Sequence, residues 1–320
     1  MYPGRYFIMS NYAVKTKKIA RKASWYGVRL FFLTGLSFVI LYPVYTMIAA
    51  AFTSKADMLD STVFLIPRTL SVYAFTIASE LLNYQKSLAL TLFIAVTVAA
   101  VQTLICMMAG YGFGRFRLPL KKLLFAMVLF TVVVPPQLYM STLYLQFKDF
   151  SLFGLFKTNL LNSFTPLYLL ALTGNGIKNG LFIYIFRQNF RNMPNEIEEA
   201  ALVDGAGTFK TFSHVMLPNA MASIVTIFLF SFVWQYNDSF YMGLFMTSPD
   251  ILSINFNIAY HWDTQMLQTM GLSDADIFNP VFAATVRSAC ALLILAPVIA
   301  VYLALQRFFV ESVERAGVVG

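Results

Sequence analysis

Three ionisable side chains stand inside otherwise uncharged apolar runs: Lys178 in residues 158–186, Asp238 in 219–249 and Arg287 in 281–306. A charge in hydrocarbon is costly and usually faces a bundle interior or an aqueous cavity, so each is a candidate for a polar path through a membrane. Trp234, Tyr236 and Asn237 accompany Asp238 on that path. The rings of Trp234 and Tyr236 could stack on sugar rings, although interfacial aromatic residues also serve as plain anchors. Lys178 and Arg287 together would favour an acidic ligand such as a uronate oligosaccharide; equally, both could be structural, with Arg287 and Asp238 reaching the external boundary. No catalytic set joins them. Neither GxSxG nor HExxH occurs, and the two histidines, His214 and His261, fall in connections on opposite sides, so neither a catalytic residue nor a metal site is expected. Cys106 and Cys290 lie in apolar runs and read as small buried hydrophobes.

The elements that must carry these residues are helices in a bilayer. Of the 320 residues 58% are apolar and only 12% charged, where soluble domains average about 45–50% and about 25%. Residues 30–52, 88–113 and 123–147 hold no charge at all, and with the three runs above they make six stretches long enough to cross about 30 Å of hydrocarbon. The expected fold is therefore an all-α membrane protein with six transmembrane helices. Residues 1–29 would precede the spans, 30–306 would form the spanning domain, and 307–320 would be a tail.

Basic residues divide the connections into two classes. Arg5, Lys15, Lys17, Lys18, Arg21, Lys22, Arg29, Arg115, Arg117, Lys121, Lys122, Arg187, Arg191, Lys210, Arg307 and Arg315 fall on one side, against Lys55, Arg68, Lys86, Lys148 and Lys157 on the other. The rule that Lys and Arg stay inside makes both termini cytoplasmic. The net charge of +8 thus reflects orientation, and nucleic acid is not needed to explain it. The first apolar run exceeds the about 7–15 residues of a signal core, so it reads as an uncleaved helix.

Two external connections, 53–87 and 239–280, are long, and 148–157 is short. The second long one holds Asp250, Asp263, Asp274 and Asp276 beside His261 and Trp262, which suits either a docking surface for an external protein or a solvated acidic loop. Gly174, Asn175, Gly176, Asn179 and Gly180 should weaken the helix of 158–186. Unwinding along a transport path and close helix crossing both fit, the latter through Gly176-x-x-x-Gly180 and Gly110-x-x-x-Gly114. Pro135 and Pro136 should kink 123–147.

The connection 187–218 is the most ordered of all. Pro194 suits a first helical turn, Glu196, Glu198 and Glu199 sit at its positive end, and Ala200 and Ala201 continue it. Gly205 and Gly207 interrupt. A second helix over 209–217 would turn Phe209, Phe212 and Val215 to one face, and Pro218 ends it. Gly205-x-Gly207-x-x-Lys210-Thr211 has the outline of a phosphate loop, but Phe209 replaces the glycine before the lysine and no strand precedes it.

Glu199-Ala200-Ala201, three residues, Gly205, nine residues and Val215-x-Leu217-Pro218 together resemble the EAA loop of permease subunits from bacterial ATP-binding-cassette importers. Val215 stands where that pattern usually has Ile. Residues 111–117, 234–238 and the ending QRFFVESVERAGVVG resemble the carbohydrate branch, the family of the maltose-type second permease, so the likeness runs from the first span to the C-terminus. It implies a coupling loop that docks in a cleft of a cytoplasmic ATPase. Glu199 would be the ionic contact, Ala200, Ala201 and Gly205 the close-packing positions, and Val215, Leu217 and Pro218 the rest of the motif. The tail departs from the common version at Glu311, Glu314 and Val319.

The resemblance further implies a non-catalytic subunit in the bacterial cytoplasmic (inner) membrane. Its partners would be a second permease in a heterodimer, two ATPase subunits that hold ATP and Mg, an external solute-binding protein, and an oligosaccharide substrate; the chain itself would carry no cofactor. The rival reading is an ion-coupled carrier or intramembrane enzyme, for which Lys178, Asp238 and Arg287 would be the only polar machinery.

Overall fold

The computed structural model describes residues 4–60, 62–63, 66–152, 154, 156–247, 249–261 and 264–317, with backbone alone at 4–21, 23, 266 and 308–317. Trp262, Asp263 and Val319 lie outside the described residues. The chain is mostly helical. Helix α1 (Gly4–Ala51) runs without a break from the basic segment into the first apolar run. Its apolar side chains, Phe31, Phe32 and Phe38 among them, face outward. An all-round apolar helix with so little cover in its own chain suits lipid or a neighbouring subunit.

Two short helices follow, α2 (Lys55–Met58) and α3 (Tyr73–Leu81). Ser54 caps α2, its Oγ accepting from the Asp57 N–H at 3.2 Å. Then comes α4 (Tyr84–Arg115), the axis of the molecule, against which the later helices pack. Its 32 residues span about 48 Å at 1.5 Å per residue, enough to separate two ends of the protein.

The next two apolar runs are broken where single spans were expected. Helix α5 (Lys121–Val133) stops because Val134 precedes proline and is forced extended, at φ −76° and ψ 114°. One 3₁₀ turn, Pro136–Leu138, leads into α6 (Met140–Lys148). A hairpin of β1 (Phe150–Leu152) and β2 (Phe156–Thr158) follows, antiparallel with Ser151 opposite Lys157, and is a departure from the all-helical expectation. Helix α7 (Thr165–Leu172) ends near Gly174, at φ +75°, and α8 (Asn179–Asn192) begins after Lys178, at φ +61°. Both readings of this glycine-rich segment therefore have a physical counterpart. The backbone unwinds over 173–178, and Gly180 lies so near α5 that an added Cβ would meet Thr131 Oγ1 at 2.6 Å. At the α4–α8 crossing, Gly110 and Gly114 similarly face the Cβ atoms of Phe186 and Phe190.

After α9 (Asn195–Val203) come α10 (Thr208–Thr211), a π-helical turn over Phe212–Met216 and α11 (Leu217–Asn219). The chain then bends by 77° into α12 (Met221–Tyr236). Short helices α13 (Phe240–Phe245), α14 (Leu252–His261), α15 (Thr264–Thr269) and α16 (Asp274–Ile277) precede the long α17 (Pro280–Gly317), which packs on α1, α3 and α12. Among the described residues three helical stretches are long and apolar enough to cross a membrane: Ser24–Ala51, Tyr84–Arg115 and Pro280–Arg307. The bent pair Thr208–Asn219 with Met221–Tyr236 would supply a fourth.

At the Tyr84 end of α4 the two long connections are tied together. Asp250 pairs with Lys86 at 2.9 Å and accepts hydrogen bonds from Asn83 Nδ2, Ser87 Oγ and Asn255 Nδ2 at 2.7, 2.8 and 3.0 Å. Partial burial opposes ionisation of Asp250, yet Lys86, Asn255 and Ser87 outweigh it and hold the carboxyl down at about 2. Asp276 pairs with Lys55 at 2.8 Å, which lowers the acid's pKa and raises the amine's. Asp274 accepts from Gln268 Nε2 at 3.0 Å. Much of the acidity read as a possible docking charge is thus engaged inside the chain.

Candidate functional site

The connection 187–218 sits at the Arg115 end of α4, held from below by aromatic packing. Phe212 contacts Tyr111 at 4.8 Å and Phe190 at 6.3 Å between ring centroids, and Met216 is fully buried beside them. Phe209 instead points away, 82% exposed. The expected shared face of Phe209, Phe212 and Val215 is therefore split, because the π-helical turn shifts the angular step between them. Val203, 87% exposed, and the exposed Leu202 and Ile197 join Phe209 on the outer surface. Apolar side chains turned outward beside glutamates make a surface suited to a protein partner.

Polar contacts fix the first of the two helices. Arg115, its side chain 6% exposed, pairs through Nε with Glu198 Oε2 at 3.4 Å. Its other nitrogens donate to the Met193 carbonyl at 2.6 Å and to Asn195 Oδ1. Tyr111 Oη donates to the second oxygen of Glu198 at 2.8 Å. Glu198 is thereby the inward carboxylate of α9, while Glu199 and Ala200 are exposed and Ala201 is half-buried. Gly205 is exposed at φ +80°, with open space among the described residues where a Cβ would stand, so within the chain its glycine is explained by the backbone. Leu217 is half-buried and Pro218 exposed, and Val215 is half-buried. Sequence reasoning missed the Arg115–Glu198 clamp. A pair whose members are so far apart in the chain has no local signature.

A second constellation lies midway along α4. The two interrupted spans leave a cavity of about 900 Å³ between 130–137 and 173–180, with Tyr139, Phe147 and Tyr241 on its wall. Behind it stands Gln102, fully buried, whose Oε1 accepts from Ser231 Oγ at 2.7 Å and Gln235 Nε2 at 3.2 Å. Its Nε2 consequently faces the other way and donates to the Ile177 carbonyl and Asn179 Oδ1. A lone amide within the apolar run 88–113 was a signal available in the sequence.

The predicted path residues divide. Lys178 lines the cavity, with its ammonium 4.9 Å from the centre of the Trp234 ring. The other candidates stand elsewhere. Tyr236 is buried and donates to the Ile294 carbonyl at 2.9 Å, and Asn237 donates to the Val233 carbonyl at 2.9 Å. Asp238 accepts from the Phe240 and Tyr241 N–H groups at 3.1 Å each, starting α13. Arg287 lies over the Tyr260 ring at 5.2 Å. Among the described residues no group of three or more His, Cys, Asp or Glu is placed to hold a metal, and Cys106 and Cys290 are buried free thiols.

Comparison with known proteins places this arrangement. A relative from Pyrococcus horikoshii is 28% identical over 182 residues, 57% of this chain and 62% of that protein. The sn-glycerol-3-phosphate transport system permease protein UgpE of Yersinia enterocolitica is 24% identical over 86% of this chain and 90% of its own. LplC of Bacillus subtilis is 25% identical over 91% and 93%. A bacterial ABC transporter involved in the import of the acidic polysaccharide alginate has a chain of the same fold, with TM-score 0.69, 21% identity and coverage of 90% of this chain and 98% of that one. Residues 102–315, from the buried Gln102 through the connection 187–218 and into α17, match the family model, and the chain belongs to the family of binding-protein-dependent transport system inner membrane components.

Proposed function

We propose that this chain is one permease subunit of an ATP-binding-cassette importer for an oligosaccharide, coupled to partner ATPases through residues 187–218. The observation that carries the reading is the division of labour in the EAA helix. Glu198 is locked inward to Arg115 and Tyr111, while Glu199, Ala200 and the exposed apolar residues Leu202, Val203 and Phe209 remain outward. A rigidly mounted surface of this kind can receive a push and pass it to α4 and α8 without any bond chemistry. The carbohydrate cargo is supported by the sequence likeness to the maltose-type branch and by a structural relative whose transporter imports a polysaccharide.

In this reading the six apolar stretches cross the bacterial inner membrane with both termini in the cytoplasm, the interrupted ones as broken spans. The partners are a second permease, two ATPases that bind ATP and Mg, and an external solute-binding protein. Alternating access follows when closure of the ATPases moves the two coupling loops.

The test is affinity purification of the tagged chain in mild detergent, with mass spectrometry of the proteins that accompany it. Wild type should bring a second permease and an ATPase, and Glu199→Lys should lose the ATPase selectively. A chain recovered alone, whatever stands at 199, would overturn the reading.

A further inference from the structure

We propose that the cavity between the two interrupted spans is a subsite for the carboxylate of an acidic sugar, held by the Lys178 ammonium and the Asn179 side-chain amide. The inference rests on the oligosaccharide-importer reading and adds to it the charge of the cargo and the residues that meet it.

Four observations converge on this cavity. First, among the described residues its wall holds a cation and no Asp or Glu. Among the described residues Lys178 makes no ion pair, and its contact with the Trp234 ring leaves ammonium N–H groups open to an acceptor. A cation set within an apolar run needs a counter-charge, and here the ligand can bring it.

Second, Asn179 also lines the cavity, is 2% exposed, and its Nδ2 has no hydrogen-bond partner. The orientation of that amide is dictated from behind. Ser231 and Gln235 occupy the Gln102 oxygen, so the Gln102 nitrogen must donate to Asn179 Oδ1, which leaves Nδ2 as the group still to be satisfied. A buried donor kept without a partner is costly unless something else supplies the acceptor.

Third, Lys178 holds φ +61°, a conformation its side chain disfavours. Strain of this kind concentrates at functional sites, where a side chain must be aimed. Both Lys178 and Asn179 stand at the start of α8, whose 14 residues add the positive end of a helix to the same spot.

Fourth, the rest of the wall suits sugar rings. Tyr139, Phe147 and Tyr241 provide faces for stacking, and Gln137 and Gln146 provide hydrogen-bonding groups for hydroxyls. The volume of about 900 Å³ exceeds what a small phosphate ester would fill and admits several rings. Arg287, over Tyr260, takes no part.

The test uses the purified complex, stripped of any external binding protein, in lipid nanodiscs. Equilibrium binding is measured for trigalacturonate, trimannuronate, carboxyl-reduced trigalacturonate and sn-glycerol 3-phosphate. Wild type should hold one of the two uronate trimers at least about tenfold more tightly than the reduced trimer, the scale of one charge-assisted hydrogen bond. Lys178→Gln should abolish that preference, Lys178→Arg should keep most of it, and neither should change the subunit composition. Equal affinity for charged and reduced trimers, no uptake of either uronate, preference for glycerol 3-phosphate, or discrimination that survives Lys178→Gln would each overturn the subsite. Failure of the importer reading is seen separately, as absence of an ATPase from the wild-type complex.

Discussion

At the end that carries residues 187–218 one shielded pair, Arg115 with Glu198, holds a helix whose outer surface is left bare. At the opposite end exposed pairs, Lys55–Asp276, Lys86–Asp250 and Arg68–Asp60, lace the long connections to each other and to themselves. The difference lies in where the polar groups look. Exposed pairs are individually weak and screened by salt, about 0–1 kcal/mol each, so that end is secured by number. The 187–218 connection is secured by burial, while Glu199, Val203 and Phe209 stay exposed. One end is closed within the chain, and the other leaves apolar side chains outward, the surface on which the proposed ATPase contact rests.

Breaking the shielded pair should have the largest effect. Arg115→Ala leaves the Glu198 carboxylate partly buried beside Tyr111 and frees the Met193 carbonyl; losing one member of such a pair costs about 3 kcal/mol. Limited trypsin digestion should then cut at Arg191 or Lys210 much faster than in wild type. Unchanged digestion would mean that the aromatic packing under Phe212 alone holds the loop.

Next in size is Gly110→Val, which forces a branched side chain against the Cβ of Phe186 at the α4–α8 crossing. Overpacking of this kind costs about 2 kcal/mol, and should lower the melting temperature of the detergent-solubilised chain whether or not the partners are present. Gly205→Ala sharpens the contrast from the other side. No described residue lies near an added Cβ there, so only the left-handed backbone is penalised, by about 1 kcal/mol. Sugar-stimulated ATP hydrolysis should fall by far more than that stability loss suggests, since the outer surface is the part disturbed.

The smallest effect belongs to the opposite end. The Asp250 carboxyl is held at about 2, below its ordinary 3.8. A depressed folded pKa means the contribution is complete above the unfolded value and disappears as pH falls from about 4 towards about 2. Amide hydrogen exchange of residues 251–261 should accelerate over that window. Asp250→Asn should remove the pH dependence while changing stability at neutral pH by under about 1 kcal/mol.

Some of this was legible in the residues. The apolar runs, the helix–turn–helix of 187–218 and the weak helix around Gly174 and Gly176 are local patterns, and each has a counterpart in the fold. The break at Pro135 went further than a kink because α5 stops completely, whereas the unwinding over 173–178 is one of the two readings its glycines offered. The hairpin of β1 and β2 had no alternating pattern strong enough to announce it.

What the sequence determined by itself was chemistry with a short range: a bilayer as solvent, a helix–turn–helix over 187–218 whose motif resembles an EAA loop, and three charges that hydrocarbon would not tolerate alone. Only the tertiary structure decided that Glu198 turns inward while Glu199 turns out, through a hydrogen bond to Tyr111, which is 87 positions away. It likewise decided that Lys178, and neither Asp238 nor Arg287, meets the cavity. The reason is physical. Helical periodicity says which residues share a face, but what that face meets depends on the packing of helices distant in the chain, and here Gly110, Gly114 and Gly180 set that packing by letting backbones approach.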